Sequence, residues 1–232
     1  MTVLDAGANV GLIGLRLASR LRSLGGGRVL LVEPIPANAH LIRASIRENG
    51  LEPLCEVFEV GLSDKSGSAT LLAEGGANRS GNAGLLAPRR FRRGLTPIEI
   101  PLRTLDQLAS DDGPPGIDLV KIDVEGAELA ALRGGIASVT RSRPLIFGEF
   151  NPALMERHGG ALPQVMDLLG PLGYESFVVT GTRELTRMRP VRGLADVLSA
   201  VPERLAPLLS PGASGWSLRA SPGDPLPNPA RR

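Results

Sequence analysis

Asp5-Ala6-Gly7-Ala8-Asn9-Val10-Gly11 is the stretch richest in chemical possibility, because the apolar Val3-Leu4 runs straight into a glycine-containing turn and then a helix. Gly7 and Gly11 would let a ligand lie against the backbone where a side chain would clash. Further acids follow the other apolar runs: Glu33 after Arg28 to Val32, Asp64 after Glu56 to Leu62, and Asp123 with Glu125 after Ile117 to Ile122. Glu149 lies near the end of Leu145 to Phe150. In an open parallel sheet the carboxyl ends of the strands face one crevice, so these carboxylates and Asp5 would gather around one site. Such a cluster raises its own pKa values and repels itself unless a cation enters.

A dinucleotide is a poor match for this turn. The fingerprint G-x-G-x-x-G, counted from Gly7, finds Asn9 and Leu12 at the later glycine positions. An acidic Asp5 beside the turn would also repel a pyrophosphate. No Gly-Lys dipeptide occurs, so a Walker A phosphate loop is absent. A ligand with positive charge and a ribose suits the pattern better. Glu33 can accept hydrogen bonds from both ribose hydroxyls, and S-adenosylmethionine supplies an ammonium and a sulfonium.

Composition narrows the class further. The 232 residues, 42% hydrophobic and 22% charged, fit one larger globular domain or two small ones. Apolar runs such as Val29 to Val32 fall far short of the roughly 20 residues that cross a bilayer, so no membrane partner is expected. The single Cys55 and two histidines exclude an internal disulfide and a Cys/His zinc site, and no metal is expected. No secretory signal is readable, which makes a cytoplasmic location the default. A net charge of +2 and 3% aromatic residues argue against a nucleic-acid partner.

The elements that must position the acids alternate along the chain. Thr2 to Leu4 reads as the end of a strand, and Leu12 to Leu24 as a helix from the spacing of Ile13, Leu17, Leu21 and Leu24, stopped at Gly25-Gly26-Gly27. Arg28 to Val32 reads as a buried strand, followed by a helix from Pro36 to Asn49-Gly50. Glu56 to Leu62 and Ala69 to Leu72 read as strands around Asp64-Lys65-Ser66-Gly67, and Ile98 to Pro101 as a short extended piece. Thr104 to Gln107 has a capping-box pattern. Ile117 to Ile122 and Leu145 to Phe150 are strands, Ala127 to Arg133 and Leu162 to Leu169 helices, and Tyr174 to Thr180 with Glu184 to Met188 a hairpin. The β-α-β-α-β series with a late antiparallel hairpin indicates an open α/β sheet.

Two segments stand apart. Gly75 to Leu95, rich in Gly, Ser, Asn and Arg without periodicity, reads as a long loop and possible lid. Ser210 to Arg232, with five Pro and three Gly in 23 residues, is expected to be a disordered tail to a domain spanning 1–209. The chain also opens inside its first core strand, and a leader is expected to be missing before it.

Four motifs in order resemble the FkbM-type S-adenosylmethionine-dependent methyltransferases: Asp5-Ala6-Gly7-Ala8-Asn9-Val10-Gly11, Val32-Glu33-Pro34, Gly61-Leu62-Ser63-Asp64, and Val120-Lys121-Ile122-Asp123-Val124-Glu125-Gly126-Ala127-Glu128. The resemblance covers about residues 2 to 201. It implies O-methylation of a hydroxyl on a small molecule, sugar, other glycan or polyketide. The implied fold is a Rossmann-like class I methyltransferase sheet, mostly parallel with helices on both faces and an antiparallel last strand at Ala195 to Val201. It further implies Asp5, Gly7, Asn9 and Gly11 around the methionine part of S-adenosylmethionine, Glu33 on the ribose, and Ser63 with Asp64 near the adenine. Asp123 and Glu125 would line the methyl-transfer face, Asp123 also holding the cofactor and Glu125 facing the acceptor. An alcohol acceptor must lose a proton, and Asp123, Glu125 or Glu149 could take it, with His158 more remote.

Plainer readings accompany each choice. Gly7 and Gly11 could form a tight turn with no ligand, Glu33 could be an exposed strand-end acid, and Asp123 with Glu125 could stabilise the dipole of the next helix. Lys121 reads as a strand lysine whose stem snorkels, Cys55 as a small apolar residue and His40 as a surface residue. Arg89, Arg90, Arg92 and Arg93 read as a solvated face or as a clamp for an anionic acceptor, and Asn82 as loop chemistry or part of an acceptor pocket. An NAD(P)-dependent oxidoreductase, a non-catalytic nucleotide-binding module and a nucleic-acid methyltransferase are the rival functions.

Overall fold

A computed structural model describes residues 1–74, 84–85, 95–110, 116–181, 183–188, 193–210 and 215–219. The strand β1 (Thr2–Ala6) leads through the glycine turn into helix α1 (Leu12–Ser23), and β2 (Arg28–Val32) into α2 (Pro36–Glu48). Pro36 at the first helical position supplies the fixed φ that a helix start needs. Next come β3 (Cys55–Phe58), β4 (Gly61–Leu62), β5 (Gly67–Glu74), β6 (Gly84–Leu85), β7 (Leu95–Arg103) and α3 (Leu105–Ser110). The reciprocal cap before α3 forms as its sequence requires: Thr104 Oγ1 accepts from the Gln107 N–H at 3.1 Å, and Gln107 Oε1 accepts from the Thr104 N–H at 3.0 Å.

The second half contains β8 (Leu119–Ile122), α4 (Glu128–Arg133), α5 (Ile136–Ser142), β9 (Leu145–Phe150), α6 (Pro152–Arg157) and α7 (Leu162–Leu169). It closes with β10 (Glu175–Thr180), β11 (Glu184–Arg187), β12 (Ala195–Ala200), α8 (Pro202–Leu209) and β13 (Ser217–Arg219). The main sheet runs β13-β11-β10-β12-β9-β8-β1-β2-β3. Strands β3, β2, β1, β8 and β9 are mutually parallel, whereas β12 is antiparallel to both β9 and β10.

Alternation along the strands sends side chains to opposite faces, and helices cover both. Val3, Val29 and Leu31 pack against Ala18 and Leu21 of α1 and Ile42 and Ile46 of α2. Leu4, Leu30, Val120 and Ile122 belong to the cluster holding Leu105, Leu129, Leu132, Val139 and Val165 of α3, α4, α5 and α7. Among the described residues, no helix is long and apolar enough to cross a membrane.

Three features depart from the sequence reading. Glu56 to Leu62 does not form one strand: β3 closes the main sheet, and β4 joins a second sheet of order β4-β7-β5-β6. The short extended piece at Ile98 to Pro101 is the middle of the nine-residue β7, paired antiparallel with β5 from Gly67↔Leu102 to Glu74↔Leu95. Within the tail expected to lack structure, Ser217–Arg219 pair parallel with β11, and Arg219 meets Glu184 at 3.1 Å. Backbone pairing to an open sheet edge orders those residues without a buried side chain. Asn82 and the arginines 89, 90, 92 and 93 lie outside the described residues.

Candidate active site

Register places the site. Ala6 is aligned with Val32 on one side and with Ile122 on the other, so β1, β2 and β8 end level and their following loops rise from one edge. The Gly7 and Ala8 N–H groups both donate to the Val32 carbonyl at 3.0 Å, and the Asp123 N–H donates to the Ala6 carbonyl at 3.1 Å. Gly7 sits at φ 73°, and a Cβ there would collide with the Asp123 carbonyl oxygen. Glycine is therefore needed for close approach of the two loops, independently of any ligand. Asn9 and Glu125 also occupy the left-handed region, each at φ 53°. Non-glycine residues held there mark places where surrounding contacts over-determine the backbone.

These loops form one wall of a cleft partly open to solvent. Gly7, Asn9, Glu33, Asn38, Asp123 and Glu125 line its polar side. The apolar side includes Ile35, Val60, Leu62, Leu71, Ile100 and Leu102, so the second sheet roofs the ends of the main-sheet strands. A concave apolar pocket with few convergent polar groups is the usual form of a small-molecule site.

Glu33 is only 4% exposed. Its Oε2 accepts from the Asn9 N–H at 2.8 Å, and Oε1 accepts from the Ile35 N–H at 3.0 Å and Asn38 Nδ2 at 3.2 Å. It is thus not an exposed strand-end acid: it ties the glycine turn to the start of α2 while facing the cleft. Burial pushes its carboxyl above the usual glutamate range, against the pull of those donors. Asn38, in the first turn of α2, escaped the sequence reading, since a buried amide on a helix has no distinctive spacing. Asn9 Oδ1 is buried in the cleft wall without a hydrogen-bond partner among the described residues. A ligand donor at that point would satisfy it.

Lys121 does not snorkel. Its side chain is 8% exposed, and Nζ donates to the Gly7 carbonyl at 2.8 Å while lying 3.0 Å from Asp5 Oδ1 and 3.8 Å from Asp123 Oδ2. The buried cation thus braces the turn from beneath. Asp5 is fully buried against it, and burial holds the Asp5 carboxyl above the ordinary range despite the ammonium. Asp5 accordingly stands behind the cleft wall rather than in it.

Asp123, Glu125 and Glu149 come together electrostatically. The Glu125 carboxyl is raised by burial first, then by Asp123, Glu149 and Glu128. Glu149 is exposed and outside the wall, its carboxyl raised by partial burial, Asp123 and Asp196. His158 packs behind the same loop, where a Cβ on Gly126 would meet its Cδ2, and burial with Arg157 lowers its pKa. Gly11, Ser63 and Asp64 are not in the wall. The Ser63 carbonyl abuts Gly134 at the end of α4, and Ser63 Oγ donates to Asp64 Oδ1 at 3.3 Å.

Comparison with known proteins decides the lineage. The model of the methyltransferase FkbM domain matches residues 5–176. The chain belongs to the FkbM methyltransferase family. Its relatives include the 2-O-methyltransferase NoeI of Sinorhizobium fredii, 30% identical over 181 residues that cover 72% of this chain and 70% of NoeI. The methyltransferase sdnD of Sordaria araneosa is 29% identical, over 57% of this chain and 59% of its own length. A crystal structure of methyltransferase FkbM from Methylobacillus flagellatus superimposes with a TM-score of 0.52 at 17% identity, covering 85% of this chain and 43% of that one. The chain therefore spans less than two thirds of the length of some of the relatives it matches.

Proposed function

We propose that this FkbM-family chain transfers the methyl group of S-adenosylmethionine to a hydroxyl of a small molecule or glycan. The observation that carries the reading is the pairing of an unsatisfied buried acceptor, Asn9 Oδ1, with Glu33, Asp123 and Glu125 in one cleft wall. A cationic ligand with hydrogen-bond donors answers all of them at once. The strand order, with β12 reversed between β9 and β10, is read as the class I methyltransferase arrangement.

Gly7 and Asn9 would hold the methionine part, with Asp123 beside its ammonium. Glu33 keeps acceptor capacity beyond its present donors and would take the ribose. The apolar wall of Ile35, Leu62, Leu71 and Ile100 offers the adenine a dry slot, in place of the adjacent Ser63 and Asp64. When bound, the cofactor supplies a methyl carbon already activated by its sulfonium. The residues then mainly align acceptor and donor, since in-line displacement depends on geometry. Glu125 would receive the acceptor's hydroxyl proton, and its raised carboxyl pKa brings it closer to a working general base. The name of NoeI, a 2-O-methyltransferase, supports oxygen as the methylated atom.

The reading is tested by incubating the protein with methyl-labelled S-adenosylmethionine and a panel of hydroxylated small molecules and oligosaccharides. Label is expected in an ether linkage. Label appearing on nitrogen or carbon alone would contradict oxygen as the acceptor.

A further inference from the structure

Glu128 has no part in the chemistry above, yet it is a carboxylate only 1% exposed, at the first position of α4 and absent from the cleft wall. Burying such a group costs free energy that packing alone would not recover, because an apolar side chain would fill the space as well. What the carboxylate does is visible in its partners. Oε1 accepts from the Gly126 N–H at 2.9 Å and from the Val124 N–H at 3.3 Å. Those two amides bracket Glu125, whose φ of 53° is unfavourable for a side chain of its kind. Gly126 follows at φ 102°, and a Cβ there would come within 2.7 Å of the Leu154 carbonyl oxygen. The turn is thus gripped from one side by Glu128 and closed from the other by Leu154 and His158.

We infer that Glu128 is the positioning residue of the acceptor-facing turn: by accepting the Val124 and Gly126 N–H groups it holds Glu125 in the left-handed conformation that presents its carboxylate to the cleft. This rests on the reading of Glu125 given above. Glu128 acts through Glu125 and touches neither donor nor acceptor. A residue that only packed would be replaceable by any side chain of similar volume. One that acts through its acceptor oxygen needs an acceptor at that reach.

The test compares wild type with Glu128→Gln, Glu128→Leu and Glu128→Asp in the full chain. Glutamine keeps an acceptor oxygen at the same reach, leucine keeps the volume, and aspartate keeps the charge on a shorter stem. Amide hydrogen exchange at Gly126 and the carboxyl titration of Glu125, both followed by NMR, report the turn directly, and S-adenosylhomocysteine affinity reports the cofactor site. Leucine and aspartate are expected to speed Gly126 exchange about tenfold or more, and aspartate, which keeps the charge at 128, to move the Glu125 titration back toward the ordinary range. Glutamine is expected to restore the wild-type turn. S-adenosylhomocysteine affinity should stay within about threefold in every folded variant. Wild-type exchange in Glu128→Leu, or a wild-type Glu125 titration in the charge-retaining Glu128→Asp, would overturn the assignment, as would failure of Glu128→Gln to restore wild-type exchange at Gly126. Should Glu128→Leu not fold, Glu128→Asp against Glu128→Gln decides the point by Gly126 exchange. If wild type binds no S-adenosylhomocysteine while the exchange pattern follows this prediction, the positioning of the turn stands and the function assigned to it falls.

Discussion

Lys121 Nζ donates to the Gly7 carbonyl oxygen at 2.8 Å, so a residue on β8 fixes the turn that follows β1. The same ammonium neutralises the fully buried Asp5, its register partner on β1. Removing it would leave an uncompensated carboxylate beneath the cleft. Lys121→Met is therefore expected to destabilise the protein by about 3–5 kcal/mol in urea unfolding. The double variant with Asp5→Asn should recover a large share of that loss. A single variant within about 0.5 kcal/mol of wild type would show that the pair does not hold the turn.

Close approach at Gly7 can be separated from backbone strain. Gly7 and Gly50 both have positive φ, at 73° and 60°, but a Cβ on Gly50 would meet nothing within 4 Å among the described residues. Gly50→Ala should cost roughly 1 kcal/mol, the backbone penalty alone. Gly7→Ala should cost at least about 2 kcal/mol more, because the Asp123 carbonyl must move, and S-adenosylhomocysteine binding should weaken with it. Equal melting temperatures for the two variants would contradict the packing of the β1 and β8 loops.

These residues also show what the sequence makes legible. The glycine turn, β2 and the loop Asp123 to Gly126 are readable because short apolar runs end at glycines and acids, local features that need no partner strand. The second sheet is not readable that way. Strands β5 and β7 pair across a long intervening stretch with no periodicity, and Pro97 and Pro101 in β7 argue against a regular strand until its edge-type pairing is known. The role of Lys121 depends on register: Asp5 and Lys121 are each the penultimate residue of their strands, a signal that acquires meaning only once β1 and β8 are neighbours. Ser63 and Asp64 follow the lining residue Leu62 just past the end of β4, where the Ser63 carbonyl abuts Gly134 and neither residue lines the cleft. Glu33 was legible as a site acid, though its service to three donors in its own chain was not.

Glu125 gives a pH dependence of defined sign. Burial and the neighbouring acids raise its carboxyl above 4.5, so the folded chain binds a proton more tightly there than the unfolded one. That contribution to stability is fully present below the unfolded value and is lost as pH rises through the folded one. Glu125→Gln, neutral throughout, should therefore gain melting temperature relative to wild type between about pH 4.5 and about pH 8. A constant difference across that range would mean that the group is not perturbed.

Ligand charge offers an independent check on the acidic wall. S-adenosylmethionine carries a sulfonium that S-adenosylhomocysteine lacks, and ionisation of Glu125 strengthens attraction for that charge. The affinity ratio favouring the sulfonium compound should rise by about threefold or more from about pH 5 to about pH 7.5 in wild type, and much less in Glu125→Gln. A ratio indifferent to pH in both proteins would separate the acids from cofactor recognition.

Calorimetric titration of S-adenosylhomocysteine into wild type and Glu33→Gln tests the central claim most directly, because Glu33 both faces the cleft and ties its turn. The account predicts saturable one-site binding by wild type and a loss of about tenfold or more in the variant, whose amide nitrogen cannot accept from its backbone donors. No binding heat from a folded wild-type chain, or the same affinity in both proteins, would contradict it.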